Sequence, residues 1–199
     1  ILVFVKMNRR GSFMLNGIVQ RDVDGTSSTS RTRALLSLRA GIPQVVEVLR
    51  QHVPGCADMR LRAYASDLGV RETRRIEGEY RLTVADLQQG RTFSDTVGYS
   101  AYGWDLGNRD GTQPMHGQSK PEMTPIPYGI LVPKEINNVI CAGRCVSVER
   151  HVLGPLRVMA PVMAMGEAAG VAASLAARDS GAFRDLQVSS VIDCLRLPV

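Results

Sequence analysis

Apolar residues recur along the chain in patterns that predict a mixture of helices and strands. The first five residues, Ile1–Val5, are all apolar, and this run has the length of a short strand. A second apolar set has helical spacing: Leu35, Leu38, Ile42, Val45, Leu49 and Val53. It predicts a helix that begins behind the candidate N-caps Ser28, Thr29 and Ser30 and ends at Val53-Pro54-Gly55. Gly41 and Pro43 interrupt this pattern, so we expect a kink or two helices there.

The strongest helical pattern covers residues 158–178, where alanine recurs throughout. This stretch is about long enough to cross a bilayer. Glu167, Pro161 and the weak hydrophobicity of alanine favour a packed helix instead, and we expect no membrane insertion. Upstream of it, Thr83-x-x-Asp86 predicts a capping box that opens a short helix.

Shorter apolar segments predict strands. Residues 74–82 alternate between charged and apolar side chains, which is typical of a half-exposed strand. Ile130–Val132 and Val139–Ala142 predict two further strands, and residues 59–68 predict a short strand or a turn. Residues 94–128 are rich in Gly, Tyr, Pro and Asp and predict a long loop, a feature that is often functional. The elements together predict a mixed α/β (α+β) fold.

The composition permits a buried core, because 44% of the residues are hydrophobic. The formal net charge is +5 and the isoelectric point is near 9.3, but the positive charges are scattered along the chain. The densest basic stretch, residues 71–81, also carries Glu72, Glu77 and Glu79, which indicates a surface of mixed charge. Since no basic stripe or binding motif accompanies the net charge, we expect no nucleic-acid partner.

The chain has four cysteines: Cys56, Cys141, Cys145 and Cys194. Cys141-x3-Cys145, followed by His151, has the residue types of a metal site but not the spacing of a zinc site, so no metal is expected. The N-terminal apolar run precedes the first basic residues, whereas a signal peptide has its charges first. We therefore expect reduced thiols and a cytoplasmic location.

The residues that follow the last predicted strand can form a ligand site. Gly143 would let a ligand approach the backbone closely, and Arg144 can meet phosphate or hydroxyl groups there. The next helix begins near Pro161, and its free first-turn N–H groups favour an electron-rich oxygen. Arg157 lies just before this helix and His151 six residues earlier, which is consistent with a redox or anion pocket. The alternative is that the charges are solvated and His151 caps or packs.

Three segments of this region are distinctive as a set: Ala142–Cys145, Leu153–Met159 and Met163–Gly170. Earlier segments accompany them in a fixed order: Val53–Gly55, Leu68–Ile76, Gly78–Tyr80, Leu82–Thr83, Ile126–Tyr128 and Leu131–Lys134. Together they resemble a family of bacterial FAD-dependent oxidoreductases, distant relatives of the fumarate reductase and succinate dehydrogenase flavoproteins. The resemblance implies FAD as cofactor, a small-molecule substrate, and hydride transfer between the two.

The resemblance also implies a domain organisation. Residues 1–128 would form a substrate or cap region, residues 129–181 the closing strand and helix of the FAD-binding domain, and residues 182–199 a C-terminal tail. Gly143 and Arg144 would lie near the FAD pyrophosphate and ribityl chain. The residues Met159, Ala160, Pro161 and Val162 would lie near the flavin ring, where helix N–H groups stabilise negative charge on a reduced flavin.

On the substrate side, the resemblance implies roles for four charged or titratable residues. His151 and Arg157 would be the catalytic residues, for proton handling and charge stabilisation. Arg71 and Arg74 would line the same cavity and bind substrate, although an Arg-Glu pair is also typical of a surface ion pair.

The sequence departs from the family pattern in several places. It has no Gly-x-Gly-x-x-Gly turn of the kind that opens the FAD-binding fold. Pro155 stands where the family usually has a small polar residue, and Ala160-Pro161 reverses the family's proline-first order. We therefore expect a fragment of a larger enzyme, or else a truncated, non-catalytic interaction module that has lost flavin binding. Either form would expose apolar surface for self-association or for a partner chain that covers it.

Overall fold

A computed structural model describes residues 3–106, 123–179 and 181–195 of the chain. It divides between Val70 and Arg71 into two compact units, which are described in turn. This division differs from the boundary expected at residue 128. Because that boundary concerns substrate and cofactor roles, it stays a prediction.

The first unit contains a β-hairpin. Strands β1 (Val3–Lys6) and β2 (Phe13–Asn16) pair antiparallel, with Phe4 opposite Leu15. The rings of Phe4 and Phe13 contact each other, with 5.2 Å between their centroids. The strand expected at the start of the chain is therefore confirmed from residue 3.

Helix α1 (Ser28–His52) follows the hairpin and runs without interruption through Gly41 and Pro43, so two separate helices are not formed. Pro43 is solvent-exposed, and the carbonyl that loses its helical partner there can bond to water. The N-cap is Ser27, one residue before the predicted candidates, and its hydroxyl accepts from the Ser30 N–H at 3.3 Å. The helix ends at Val53, as predicted.

Beyond α1 the chain of the first unit is irregular. The Arg50 guanidinium donates twice to the Met59 carbonyl, at 3.1 and 2.9 Å, and Arg39 donates to the Ser66 carbonyl at 2.9 Å. Side-chain donors thus take the carbonyls that a neighbouring strand would otherwise bind. Residues 59–68 accordingly form no strand.

The second unit contains a two-stranded sheet. Strands β3 (Thr96–Ser100) and β4 (Thr124–Pro127) pair antiparallel, with an irregularity between Thr96 and Tyr99. Both strands lie within residues 94–128, so the expectation of one long loop is wrong at its two ends. The prediction failed because these strands bury threonine, serine and proline, which are typical of loops. The remainder of the expected loop, residues 107–122, lies outside the described part of the chain.

Helix α2 (Val84–Gln88) opens with the predicted capping box, which is confirmed. The Asp86 N–H donates to Thr83 Oγ1 at 3.2 Å, and the Thr83 N–H donates to Asp86 Oδ2 at 2.9 Å. Burial opposes ionisation of Asp86, but the hydrogen bonds from Thr83, Tyr80 and Arg91 together outweigh burial, so the pKa of this carboxyl lies below its usual value.

Three helices complete the second unit. Helix α3 (Leu153–Leu156) is a single turn, and α4 (Met159–Asp179) confirms the long helix predicted over residues 158–178. Helix α5 (Val188–Cys194) packs against α4 and buries Val191 completely. Among the described residues, α4 alone has the length and apolar composition that would suffice to cross a membrane, and it packs against β3 and α5.

Three predicted strands do not form. Residues 74–82 are extended but make only isolated bridges, Gly78 with Pro133 and Leu82 with Val148. The expected strand at Ile130–Val132 is replaced by a 3-10 turn that starts at Tyr128. Val139–Ala142 is irregular, although the Cys141 N–H donates to the Leu131 carbonyl at 2.8 Å. Isolated pairs of backbone bonds join these segments, for example at Leu82, which donates to the Ser147 carbonyl and accepts from the Glu149 N–H. Leu82, Leu131 and Val132 are therefore buried without a continuous ladder.

The core of the second unit joins these crossing segments to the sheet and to helices α3, α4 and α5. Its largest fully buried side chains come from both sides of residue 128: Leu82, Val97, Ile126, Ile130, Leu131, Val132, Val146, Leu153, Leu156 and Met165.

Candidate functional site

A tight turn at Gly143 meets the first turn of α4. Gly143 is buried and has a φ of +100°, a conformation that glycine adopts without steric cost. A Cβ built at this position would lie 3.7 Å from Cγ1 of Val162. The structure therefore brings together two of the residues predicted to face a cofactor.

The first turn of α4 is open on one side. Met159 is 83% exposed and Ala160 is exposed as well, whereas Pro161 is buried. The amides at the start of a helix have no intrahelical acceptor, so they are available to an external oxygen. Arg144 is exposed on the neighbouring turn. This is the arrangement that a polar, partly negative ligand requires.

An ion pair lies directly before α4. Arg157 Nη2 and Asp105 Oδ2 are 2.6 Å apart, and the arginine side chain is only 9% exposed while that of the aspartate is 32% exposed. Asp105 Oδ1 lies 3.3 Å from the point where a Cβ on Gly154 would stand, so a side chain at this position would press on the carboxylate. The Ser100 hydroxyl donates to the Pro155 carbonyl at 2.6 Å and holds α3 against the segment that carries Asp105.

Three buried nitrogen atoms belong to residues that are close to this ion pair in sequence or part of it. Within the described structure none of them has a hydrogen-bond partner: Trp104 Nε1, His151 Nε2 and Arg157 Nε. Trp104 is the neighbour of Asp105 in sequence, and His151 and Arg157 flank α3. A buried donor or acceptor without a partner costs about 1–3 kcal/mol. Such atoms in a native protein are normally satisfied by water or by a ligand, so this part of the fold is suited to receive a polar group.

Comparison with known families decides the class of protein. A family profile described as FAD dependent oxidoreductase matches residues 3–195, which is nearly the whole chain. The chain belongs to this FAD-dependent oxidoreductase family. No curated protein and no solved structure matches it.

The geometry of this FAD-dependent oxidoreductase fits its cofactor. The backbone at Gly143 carries no side chain to block a bulky group, and the exposed start of α4 offers amide donors to it. The described residues contain no group of three or more His, Cys, Asp or Glu side chains placed to hold a metal ion.

Among the described residues, no hydrogen bond or ion pair joins the two predicted substrate-binding arginines to Arg157 or Asp105. Arg71 and Arg74 are both solvent-exposed. Between them, Glu72 accepts from Arg75 at 3.3 Å and from Arg150 at 2.9 Å. A substrate role for Arg71 and Arg74 stays a prediction.

Trp104 and Asp105 lie in the candidate site, although no motif in the sequence pointed to them. Both lie in the stretch that was expected to be a functional long loop, and Trp104 is the sole tryptophan in the chain. That expectation was a usable signal, but the pairing of Asp105 with Arg157 spans 52 positions and no local pattern encodes it.

Proposed function

We propose that this FAD-dependent oxidoreductase transfers a hydride between the flavin and a small organic substrate. The observation that carries the proposal is Arg157, a nearly buried cation whose Nε has no partner, which is held by Asp105 directly before the exposed start of α4. A buried charge with unused hydrogen-bonding capacity is expensive and is typical of functional sites.

On the cofactor side, the proposal assigns Gly143 and Arg144 to the pyrophosphate and ribityl region. The positive φ of Gly143 supports it, because a backbone position without a side chain can lie close to a bulky ligand. The exposed amides of Met159 and Ala160 would donate to the pyrimidine oxygen of the ring, while buried Pro161 fixes the first turn. FAD supplies the hydride donor or acceptor when it is bound.

On the substrate side, Arg157 would bind a carboxylate or polarise a carbonyl through its free Nε–H. Asp105 holds the opposite charge at 2.6 Å and so orients the guanidinium before any substrate arrives. His151 has an unpartnered Nε2 and can give or take a proton at that atom.

Flavin binding by the 199-residue chain is the first test. FAD is titrated into the protein while Trp104 fluorescence and the visible flavin band are followed, and the mixture is then passed over a sizing column. We expect saturable quenching of Trp104 and a flavin band that elutes with the protein. A chain that never retains flavin contradicts the proposal.

A pair of glycine variants localises the binding. Gly143→Ala places a methyl group in the proposed cofactor approach, and we expect affinity for FAD to fall about tenfold, or about 1.4 kcal/mol. Gly181→Ala is the matched control, since a Cβ there meets no atom within 4 Å. Equal affinities in the two variants would remove Gly143 from the site.

A second candidate function is a non-catalytic interaction module. It is favoured by the β1–β2 hairpin, whose apolar side chains Val3, Phe4, Val5 and Met14 are exposed. This function predicts concentration-dependent self-association that Phe4→Ser weakens, together with no flavin retention. Sedimentation velocity and the flavin titration distinguish the two functions. For either one we propose the reducing, cytoplasmic setting that the sequence predicts.

A further inference from the structure

The phenol of Tyr102 lies beside the ion pair between Asp105 and Arg157. Its oxygen is 3.5 Å from Asp105 Oδ2, the same carboxylate oxygen that lies 2.6 Å from Arg157 Nη2. The phenol and the guanidinium therefore share one acceptor. Two groups this close to a single atom are near enough for one small ligand to contact both.

The segment that carries Tyr102 is fixed to helix α3. The Ser100 hydroxyl donates to the Pro155 carbonyl at 2.6 Å and accepts from the Tyr102 N–H at 3.3 Å. Ser100 is 3% exposed, whereas Tyr102 is 48% exposed. One buried hydroxyl thus joins the backbone of Tyr102 to the helical turn before Arg157, and the phenol stays open to solvent.

Both Tyr102 and Arg157 have unused capacity to donate. A distance of 3.5 Å is long for a hydrogen bond between two oxygens, so the Tyr102 hydroxyl is held only loosely by Asp105. Arg157 Nε is buried and has no partner among the described residues, and an arginine N–H can donate but not accept. A ligand that satisfies both groups must therefore offer an acceptor oxygen.

The ion pair also indicates the charge of that ligand. The Asp105 carboxylate lies 2.6 Å from the guanidinium of Arg157 and offsets most of its charge. The transfer of an anion out of water is costly, and this cost is recovered only where an opposite charge is available to pair with it. A neutral oxygen loses less on leaving water and still accepts from both donors.

We propose that Tyr102 and Arg157 together select a neutral oxygen of the substrate, in a carbonyl or hydroxyl group, in preference to a carboxylate. Tyr102 is the specificity-determining residue, since its phenol donates to that oxygen from the exposed side while Arg157 Nε donates from the buried side. Asp105 does not touch the substrate and positions both donors. The inference rests on the proposed function and narrows its substrate class at this position to alcohols and carbonyl compounds.

Acetamide and acetate test the proposal, because they have nearly the same shape and differ in charge. Each is titrated into the full chain at constant ionic strength, with and without FAD. Binding is followed by the fluorescence of Trp104, the single tryptophan of the chain and the sequence neighbour of Asp105. We expect acetamide to bind more tightly than acetate. The reverse order, or the absence of a saturable response to acetamide, overturns the proposal.

A pair of phenylalanine variants tests the role of the phenol. Tyr102→Phe removes only the hydroxyl, and we expect the dissociation constant of acetamide to rise about fivefold, as for one lost hydrogen bond. Tyr99→Phe is the matched control, since Tyr99 in β3 is 53% exposed, and it should bind acetamide as the wild type does. An unchanged affinity in Tyr102→Phe would remove this residue from the site.

Asp105→Asn tests the charge argument, because it keeps the shape of the side chain and leaves the positive charge of Arg157 unopposed. The preference should shift towards acetate, and an unshifted preference would mean that the ion pair does not set it. The titrations without FAD separate this inference from the proposed function. A chain that binds acetamide but never retains FAD contradicts the proposed function, whereas a chain that retains FAD but prefers acetate contradicts the inference alone.

Discussion

Removal of the Asp105 carboxylate should destabilise the second unit through the arginine that it leaves behind. In the folded protein Arg157 Nη2 lies 2.6 Å from Asp105 Oδ2, and the guanidinium is shielded from water. Asp105→Ala deletes the partner but leaves the charge in place. The folded state then contains an uncompensated cation, whereas in the unfolded chain water solvates the same group.

The exposed fractions set the size of the effect. Exposed ion pairs contribute about 0–1 kcal/mol to the free energy of unfolding. Removal of one partner from a fully buried ion pair lowers that free energy by about 3–5 kcal/mol. The arginine is 9% exposed and the aspartate 32% exposed, so one partner behaves as buried and the other is partly solvated. We expect Asp105→Ala to lower the free energy of unfolding by about 2–3 kcal/mol.

Urea unfolding at neutral pH measures this loss, with Trp104 fluorescence as a local probe and circular dichroism as a global one. Glu79→Gln is the matched control in the same unit. It neutralises a carboxylate 3.3 Å from Arg184, where both side chains are about a third exposed, and should cost at most about 1 kcal/mol.

A double variant isolates the cause of the loss. Arg157→Met replaces the cation with an apolar side chain of similar length, so Asp105→Ala/Arg157→Met contains no stranded charge. We expect it to be more stable than Asp105→Ala alone by at least about 1 kcal/mol, as with buried pairs replaced by apolar residues. If the double variant is no more stable than the single one, the loss does not come from an unpaired guanidinium and the reasoning fails.

Three further predictions concern other parts of the chain. Gly143→Ala forces an L-residue to a φ of +100° and should lower the free energy of unfolding in urea by about 1–3 kcal/mol. A free energy equal to that of the wild type would mean that the turn relaxes. Thr83→Ala removes the N-cap of α2 and should lower the free energy of unfolding by about 1 kcal/mol. Thr83→Ser keeps the capping oxygen and should keep most of that free energy. Burial raises the pKa of Tyr128 from 10.0 to about 12, so the unfolded chain releases this proton first as pH rises. The free energy of unfolding should therefore fall between pH 10 and 12 by up to about 3 kcal/mol. A Tyr128→Phe variant should lack this part of the decline, and an unchanged slope would contradict it.

Local signals in the sequence predicted three of the described helices, α1, α2 and α4, but neither α3 nor α5. The alanine-rich stretch at residues 158–178 became α4, and the Thr83–Asp86 pattern became a capping box, because backbone bonds within a helix join residues a few positions apart. The uninterrupted α1 shows the limit of such reasoning. One exposed proline removes a single hydrogen bond, and the remaining turns of a 25-residue helix keep it continuous.

Strands and the site depended on contacts that no local pattern encodes. Residues 74–82 alternate like a strand, yet their backbone bonds go to two different segments, near Pro133 and near Val148. Arg157 was identified from its position before α4, but the carboxylate that holds it lies 52 residues earlier. The sequence identified the cation but not its counter-ion, since only the tertiary fold brings α3 against the segment after β3.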